Sequence, residues 1–212
     1  MTFSIVARDP ETGAFGVATA TGGPAVGALV PHTRQGFGAA ATQAMTNPYL
    51  AIDALERLGD QSADRALEGA LARDDGRQRR QVVVVDKTGG VVGWTGHECT
   101  GFAGHVLDAG VGVAGNMLVG PAVLEAMIGA YRSALGSGFA RALVAAMQAG
   151  EAAGGDSRGI SSAALRVQGD QAYADIDLRV DFSDNPLAAL EDLLERTVAG
   201  PYAAFFAEVP RR

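Results

Sequence analysis

The chain has 212 residues, of which 48% are hydrophobic and 19% charged, so it can bury the core of one large domain spanning 1–212. Its formal net charge of −7 disfavours nucleic acids and anionic membranes as partners, because either would be repelled over most of the surface. A small molecule or a protein fits better. No apolar run reaches the length of a membrane span, and no basic segment or cleavage site opens the chain. These features predict a soluble, cytoplasmic protein.

Cysteine usage restricts the kinds of covalent or metal framework that the chain could use. Cys99 has no second cysteine with which to form an internal disulfide. The sequence also lacks a Cys/His cluster with the spacing of metal ligands. We therefore expect no structural zinc site, and no motif implies a cofactor.

Sequence patterns in the first half of the chain predict strands followed by helices. Alternating residues on either side of the turn formers at 9–13 are typical of a β-hairpin. Small residues then suit two further strands in a tightly packed sheet. Asn47 and Ser62 are placed as helix N-caps, and Pro48 suits a first helical turn. The predicted strands are 2–8, 14–21, 26–30 and 36–43, and the predicted helices are 48–58 and 62–73.

The second half repeats this order of strands and helices. A hairpin, another strand, two helices, a glycine-rich connection at 154–156, a strand pair and a last helix follow one another. This order suits sheets stacked between helices better than alternating βαβ units, and neither an internal repeat nor a linker is found. The predicted strands are 81–86, 91–95, 111–115, 162–168 and 173–180, and the predicted helices are 121–135, 139–149 and 186–199.

The first chemical signal is Thr2. Cellular aminopeptidases generally remove Met1 when the second side chain is as small as threonine, which would leave Thr2 with a free α-amine. Such an amine has a pKa of about 7.7 to 8 and can act as the base that activates the hydroxyl of its own residue. Because Thr2 opens a predicted strand, its amine would lie at the edge of the fold. The alternative is an ordinary first residue of a strand.

Several short stretches in a fixed order resemble the family catalogued as domain of unknown function 1028, which is grouped with the N-terminal-nucleophile (Ntn) hydrolases. The resemblance covers nearly the whole chain. The matching stretches are TFSIVAR at 2–8, AVGA at 25–28, ATQA at 41–44, NP at 47–48, RQ at 80–81, TG at 95–96, Cys99, AGH at 103–105, GNML at 115–118 with Gly120, GGD at 154–156, RG at 158–159, SAAL at 162–165 and DLRVD at 177–181.

This resemblance implies an α+β fold, a four-layer αββα sandwich of two antiparallel sheets between helical layers. It implies no known reaction, because the activity of the family is unassigned. Three positions depart from the family pattern. Ile160 and Ser161 stand where relatives carry a basic residue and glutamine, and Phe102 stands where tryptophan is usual. If that glutamine binds substrate in relatives, its loss would alter specificity, while Ser161 could keep a shorter hydrogen bond.

Hydrolysis of an amide by a threonine hydroxyl requires donors that stabilise the tetrahedral oxyanion. Asn116 and Gln43 are the candidates, since both lie at the ends of strands rich in small residues. Their alternative role is to complete the hydrogen bonds of a strand end. Arg158, Asp177 and Arg179 could orient a polar substrate or the terminal amine, or form a structural ion-pair network.

Other interpretations of the sequence remain open at this stage. Cys99 with His97 or His105 could form a thiolate nucleophile, although a lone cysteine is more often a small buried residue. The short basic runs at 77–80 and 211–212 predict solvated surface. The rival to an amidohydrolase is a non-catalytic ligand-binding or assembly protein on the same fold. The alanine- and glycine-rich segment 123–149 could pack against a second copy in a homo-oligomer.

Overall fold

The computed structural model describes residues 2–155 and 158–212 of the chain. The strands within these residues are β1 (Thr2–Arg8), β2 (Phe15–Thr21), β3 (Pro31–Arg34), β4 (Gly38–Ala44), β5 (Arg80–Asp86), β6 (Val91–Thr95), β7 (Phe102–Asp108), β8 (Val111–Leu118), β9 (Ser162–Gln168) and β10 (Ile176–Val180). The α-helices are α1 (Pro48–Arg57), α2 (Ala63–Leu71), α3 (Ala122–Ala134), α4 (Phe139–Ala152), α5 (Pro186–Val198) and α6 (Ala203–Ala207).

The strands form two antiparallel sheets. The six-stranded sheet has the order β10-β9-β2-β1-β8-β7, and the four-stranded sheet has the order β3-β4-β5-β6. Strand β1 therefore lies inside the larger sheet, between β2 and β8. In its register Thr2 lies opposite Thr21 on one side and Asn116 on the other. The first residue of β1 is thus held between two strands.

Three clusters of buried apolar residues hold these elements together. The first joins Phe3 and Ile5 of β1 to helices α3, α4 and α5. The second joins Val82 and Val84 of β5 to helices α1 and α2. The third joins Val6 of β1 to β4 and β5 of the other sheet. Because side chains alternate along a strand, Thr2 shares with Val6 the face of β1 that is turned toward the four-stranded sheet.

A glycine in β2 shows how closely helix α4 approaches the larger sheet. A Cβ atom added at Gly16 would lie 2.4 Å from Leu143 Cδ1 and 2.8 Å from the ring of Phe139. We expect Gly16→Ala to lower the free energy of unfolding by about 1–3 kcal/mol through overpacking, measured by urea unfolding. The control is Gly129→Ala on the open face of α3, where nothing lies within 4 Å of an added Cβ. Since alanine favours helix, that variant should gain about 0.5–1 kcal/mol, and equal changes in both would contradict the packing argument.

Most of the predicted elements are confirmed, including the N-terminal hairpin, the β5–β6 hairpin and helices α1 to α5. The predicted strand at 26–30 is wrong, because the chain forms a short 3-10 helix at Val26–Ala28 after Ala25 in the left-handed region, with φ 56°. The predicted strand at 36–43 starts at Gly38 as β4. Strand β3 precedes it and was not predicted. The predicted strand at 173–180 is shorter and begins at Ile176.

Strand β7 was not among the predicted elements, and the structure adds it. It lies at an edge of the six-stranded sheet, and its pairing with β8 shifts register between Phe102 and Gly104. An irregular, half-buried edge strand leaves little periodic signal in the sequence. Helix α6 was also missed, and its Phe205 and Phe206 are exposed. Among the described residues, none of the helices has the length and apolar character to cross a bilayer.

Candidate functional site

The Thr2 site lies at the first residue of β1, between the two sheets. Thr2 is only 7% exposed, and its Oγ1 donates a hydrogen bond of 3.1 Å to Thr21 Oγ1. Its main-chain carbonyl accepts two bonds from side-chain amides, 3.2 Å from Gln43 Nε2 and 3.4 Å from Asn116 Nδ2. The structure therefore brings together the three residues predicted as catalytic. Met1, whose removal the sequence analysis expects, lies outside the described residues.

Both amides are also bonded to a third amide that the sequence analysis did not single out, that of Gln81. Gln81 Oε1 accepts bonds of 2.7 Å from Gln43 Nε2 and 3.1 Å from Asn116 Nδ2. Gln43 Oε1 in turn accepts a 2.5 Å bond from Ser4 Oγ. The two N–H groups of each amide thus donate one hydrogen bond to the Thr2 carbonyl and one to Gln81 Oε1. The arrangement fixes the main chain at Thr2.

Gln81 ties the amide network to both sheets. It is fully buried in β5, and its Nε2 lies 2.9 Å from Thr95 Oγ1 and from the carbonyls of Gly104 and Gly115. The available signal in the sequence was a single glutamine at the head of four valines, in a strand that is otherwise apolar. A polar residue there must find buried partners, because an unpaired amide in a core costs about 1–3 kcal/mol.

The backbone is strained directly beside two of these amides. Ala44 has φ 70° and Met117 has φ 52°, and they follow Gln43 and Asn116 in the chain. Left-handed conformations disfavour residues with a side chain, and such outliers tend to occur at functional sites.

Apolar side chains surround the end of the sheets where Thr2 lies, which we call the Thr2 end. Met45 is 59% exposed, Val119 is 58% exposed and Phe182 is 74% exposed. Met45 and Val119 directly follow the last residues of β4 and β8, and Phe182 lies two residues after the end of β10. All three strands end at the Thr2 end. Tyr49 at the start of α1 and Phe102 at the start of β7 are exposed at the same end. The floor of the Thr2 end is thus polar and uncharged, while its rim carries apolar groups.

Ser161, one of the predicted substrate-binding residues, lies next to this floor. Its main-chain N–H donates a 2.8 Å bond to the Thr21 carbonyl, and Thr21 is the hydroxyl partner of Thr2. Its own carbonyl accepts a 2.8 Å bond from Ser183 N. Arg158 is exposed in the segment just before it. Asp156 of the glycine-rich connection lies outside the described residues.

Asp177 and Arg179, the other predicted substrate-binding residues, lie elsewhere. Both are on β10, three strands from β1 in the order β10-β9-β2-β1. Asp177 accepts a hydrogen bond from Arg166 Nη1, and Arg179 Nη2 donates a 2.8 Å bond to Asp181 Oδ1. They therefore face a different part of the surface from the Thr2 hydroxyl.

A buried ion pair supports the Thr2 end from the side of the four-stranded sheet. The Asp74 carboxylate accepts 2.9 Å bonds from Arg80 Nε and Asn47 Nδ2 and a 2.8 Å bond from Gly76 N. Arg80 also donates to the Met45 carbonyl, just beyond β4. The basic run at 77–80, predicted to be solvated, thus contributes a largely buried arginine whose side chain is 17% exposed.

These contacts predict a pH dependence of stability. Burial acts to raise the pKa of Asp74, but the hydrogen bonds from Arg80, Asn47 and Gly76 outweigh it and hold that pKa below its ordinary value. A carboxyl with a lowered folded-state pKa stabilises the fold above its unfolded pKa, and loses that contribution as pH falls through the folded pKa. Asp74→Asn should therefore cost about 1–3 kcal/mol at neutral pH and progressively less in acid.

Urea unfolding over a range of pH would measure this difference. Asp75→Asn is the matched control, because Asp75 is the exposed neighbour of Asp74 in the chain. If the loss of unfolding free energy in Asp74→Asn stayed constant from neutral to acid pH, the lowered pKa of Asp74 would be contradicted.

The structure lends no support to a cysteine nucleophile. Among residues 2–155 and 158–212, no hydrogen bond joins Cys99 to a histidine. Cys99 Sγ donates to the Arg80 carbonyl at 3.5 Å, while His105 Nδ1 lies 2.9 Å from Thr95 Oγ1. Burial raises the pKa of the Cys99 thiol, which is opposite to what a thiolate nucleophile requires. The described His, Cys, Asp and Glu side chains also form no group of three or more that could hold a metal ion.

Comparison with known proteins identifies relatives of the whole chain. The profile of a family described as a family of unknown function, DUF1028, matches residues 2–190. The crystal structure of protein SPO2555 from Silicibacter pomeroyi, which carries the same family designation, is similar with a TM-score of 0.92 and 36% identity, over 99% of this chain and 91% of that chain. Anbu (ancestral beta-subunit) from Yersinia bercovieri is a distant match, with a TM-score of 0.38 and 11% identity over 99% of each chain. No match was found among curated proteins. The chain belongs to the family of unknown function DUF1028.

Proposed function

We propose that this protein is an Ntn-type hydrolase of a small amide or a related C–N bond, with Thr2 as its nucleophile. The observation that carries the proposal is the position of the Thr2 hydroxyl. The hydroxyl is buried among uncharged polar groups at the start of a strand inside the sheet. Two side-chain amides donate hydrogen bonds to the main-chain carbonyl of Thr2.

The proposed chemistry uses one residue as both nucleophile and base. After removal of Met1, the α-amine of Thr2 accepts the proton of its own hydroxyl as Oγ1 attacks the amide carbon of the substrate. The C–N bond breaks, and the leaving amine takes that proton. Water then attacks the resulting ester, releases the acid and restores the hydroxyl. Fixing the main chain at Thr2 keeps the hydroxyl and the amine in the geometry that this requires.

Gln43 and Asn116 have a positioning role in this proposal. The N–H groups of both amides already donate to the Thr2 carbonyl and to Gln81. Either amide could therefore stabilise an oxyanion only after giving up one of these bonds. Asn116 is the better candidate, because its 3.4 Å bond to the Thr2 carbonyl is the longest of the four. Gln43, which is fully buried and also accepts from Ser4, is better placed to orient Thr2.

The proposed fold is the four-layer αββα sandwich of Ntn hydrolases. Support comes from the three apolar clusters, in which α3 to α5 contact the larger sheet, α1 and α2 contact the smaller one, and the third cluster spans both sheets. The substrate would enter at the Thr2 end, where the rim is apolar and Ser161 adjoins Thr21. A compact amide with an apolar group and no net charge suits that entrance.

A non-catalytic assembly protein is the second candidate, and the same rim favours it. Exposed apolar groups around one end of a fold mark binding surfaces, so Met45, Val119 and Phe182 could contact a second copy of the chain. This candidate needs no free hydroxyl at Thr2. Removal of that hydroxyl therefore separates the two functions.

The test is release of amine from a panel of small amides, including linear N-acyl amides and lactams, by the full chain with Met1 removed. Thr2→Val, which keeps the shape of the side chain without its hydroxyl, should release none. Thr197→Val is the control, because Thr197 bonds only the Leu193 carbonyl within helix α5 among the described contacts. Amine release by Thr2→Val at the rate of the unaltered protein would overturn the proposal.

A further inference from the structure

A polar cavity lies along the edge of the six-stranded sheet, away from Thr2. It has a volume of about 560 Å³. The 3-10 helix at Val26–Ala28 and strand β3 form one wall. The side chains of Arg166, Asp177 and Arg179, on β9 and β10, form the other. We call this space the β10 cavity.

The unequal width of the two sheets explains why the β10 cavity exists. The larger sheet has six strands and the smaller has four, and β3 at the edge of the smaller sheet packs on β2 and β9. Strand β10 therefore extends past β3. Its residues on that face meet open space, and they are charged where their counterparts nearer the centre, such as Ala164, are buried and apolar.

Two guanidinium groups in the β10 cavity have donors to spare. Arg166 donates from Nε to Thr33 Oγ1 at 2.9 Å and from Nη1 to Asp177. Arg179 donates from Nε and Nη2 to Asp181 Oδ1, at 3.1 Å and 2.8 Å. In the part of the chain that the structure describes, Arg166 Nη2 and Arg179 Nη1 have no acceptor. Each can donate to a ligand carboxylate.

Acceptors lie in the same space. Asp177 uses Oδ2 for Arg166, and its Oδ1 has no donor among the described residues. His32 Nε2 lies 3.1 Å from the Leu29 carbonyl, which places the proton of the neutral ring on Nε2 and leaves Nδ1 as an acceptor. Burial and the nearby charge of Arg166 lower the pKa of His32, and together they outweigh the hydrogen bond to Leu29, which raises it. The ring is therefore neutral at pH 7.

Charge decides which ligand fits these groups. The two arginines are balanced by Asp177 and Asp181, and His32 adds no charge. A dianion would lack counter-charge there, while a zwitterion would match both the donors and the acceptors. We propose that the β10 cavity binds a small zwitterion of the α-amino acid class, with its carboxylate on Arg166 and Arg179 and its ammonium group on Asp177.

The test is titration calorimetry of the full chain with L-glutamine, whose polar, uncharged side chain suits this polar lining. Two analogues each remove one charged group. N-acetyl-L-glutamine lacks the ammonium group and 4-aminobutanamide lacks the carboxylate. We expect saturable binding of L-glutamine and at least about tenfold weaker binding of both analogues, since each loses one charge-assisted contact. Thr2→Val should bind L-glutamine unchanged, which separates this site from the Thr2 site.

Variants connect the binding to the named residues. Arg179→Gln should weaken L-glutamine binding by at least about tenfold, and Asp177→Asn should do the same while leaving N-acetyl-L-glutamine unaffected. Arg196→Gln is the matched control, because Arg196 also pairs with an aspartate, Asp192 at 2.7 Å, but on helix α5. Unchanged thermal unfolding would show that each variant folds. The proposal is overturned if L-glutamine shows no saturable binding, or if N-acetyl-L-glutamine binds equally well.

Discussion

Thr2→Val is expected to abolish covalent labelling of the protein by an amide-mimicking electrophile such as a β-lactone, with a loss of at least about a thousandfold in labelling rate. The reason is chemical, because valine keeps the β-branched shape of threonine and lacks the attacking oxygen. The bond from Thr2 Oγ1 to Thr21 Oγ1 is lost as well, but the main-chain bonds from Gln43 and Asn116 remain. The fold around the residue should therefore persist.

Intact-mass measurement of the adduct over time gives the labelling rate. Thr2→Ser is the matched variant, because it keeps the hydroxyl and the α-amine and should still be labelled. Thr21→Val would show whether the neighbouring hydroxyl supports the reaction without carrying the adduct. Equal labelling of Thr2→Val and the unaltered protein would mean that another side chain reacts.

Gln81→Leu is expected to lower the free energy of unfolding by about 3–5 kcal/mol, because several buried polar groups lose their partner at once. The amides of Gln43 and Asn116 would each have an N–H without an acceptor. The carbonyls of Gly104 and Gly115 would lose the donor that Gln81 Nε2 provides. The side-chain volume changes little, so the loss reports on hydrogen bonding.

Urea unfolding would measure this loss, provided that the slope of the unfolding free energy against urea concentration is the same in both proteins. Gln148→Leu is the matched control, since Gln148 Nε2 donates a 2.8 Å bond to Glu191 at an exposed position. That variant should change stability by no more than about 0.5 kcal/mol. If Gln81→Leu were equally mild, the amide network would not be what holds Thr2. A lower rate of electrophile labelling in Gln81→Leu, measured under conditions where it is folded, would connect the network to the hydroxyl.

Periodic patterns in the sequence predicted the regular elements that carry a strong local signal. Asn47 and Pro48 marked the start of α1, and Asn47 Oδ1 indeed accepts a bond from Tyr49 N. The alternation in 2–8 and 14–21 predicted the hairpin that forms. The segment at 26–30 was misjudged, because its apolar residues fit a strand while Ala25 in the left-handed region turns the chain into a 3-10 helix.

The candidate site was predictable only in part. Gln43 and Asn116 were expected near Thr2, and hydrogen bonds to its carbonyl place them there. Gln81 was missed as a site residue, because its partners come from β4, β6, β7 and β8 and only the folded sheets bring them together. Asp177 and Arg179 were expected to orient the substrate or the terminal amine, yet they lie on β10, three strands from β1, since strand order within a sheet is not encoded by local pattern.

The most direct test of the central claim is the intact mass of the protein purified from a native-like host, followed by sequencing of its N-terminal peptide. The proposed mechanism requires the α-amine of Thr2 to be free, because that amine is the base. We predict a chain lighter by one methionine residue that begins at Thr2. Retention of Met1 on every molecule would contradict the mechanism and leave ligand binding or assembly as the function of this fold.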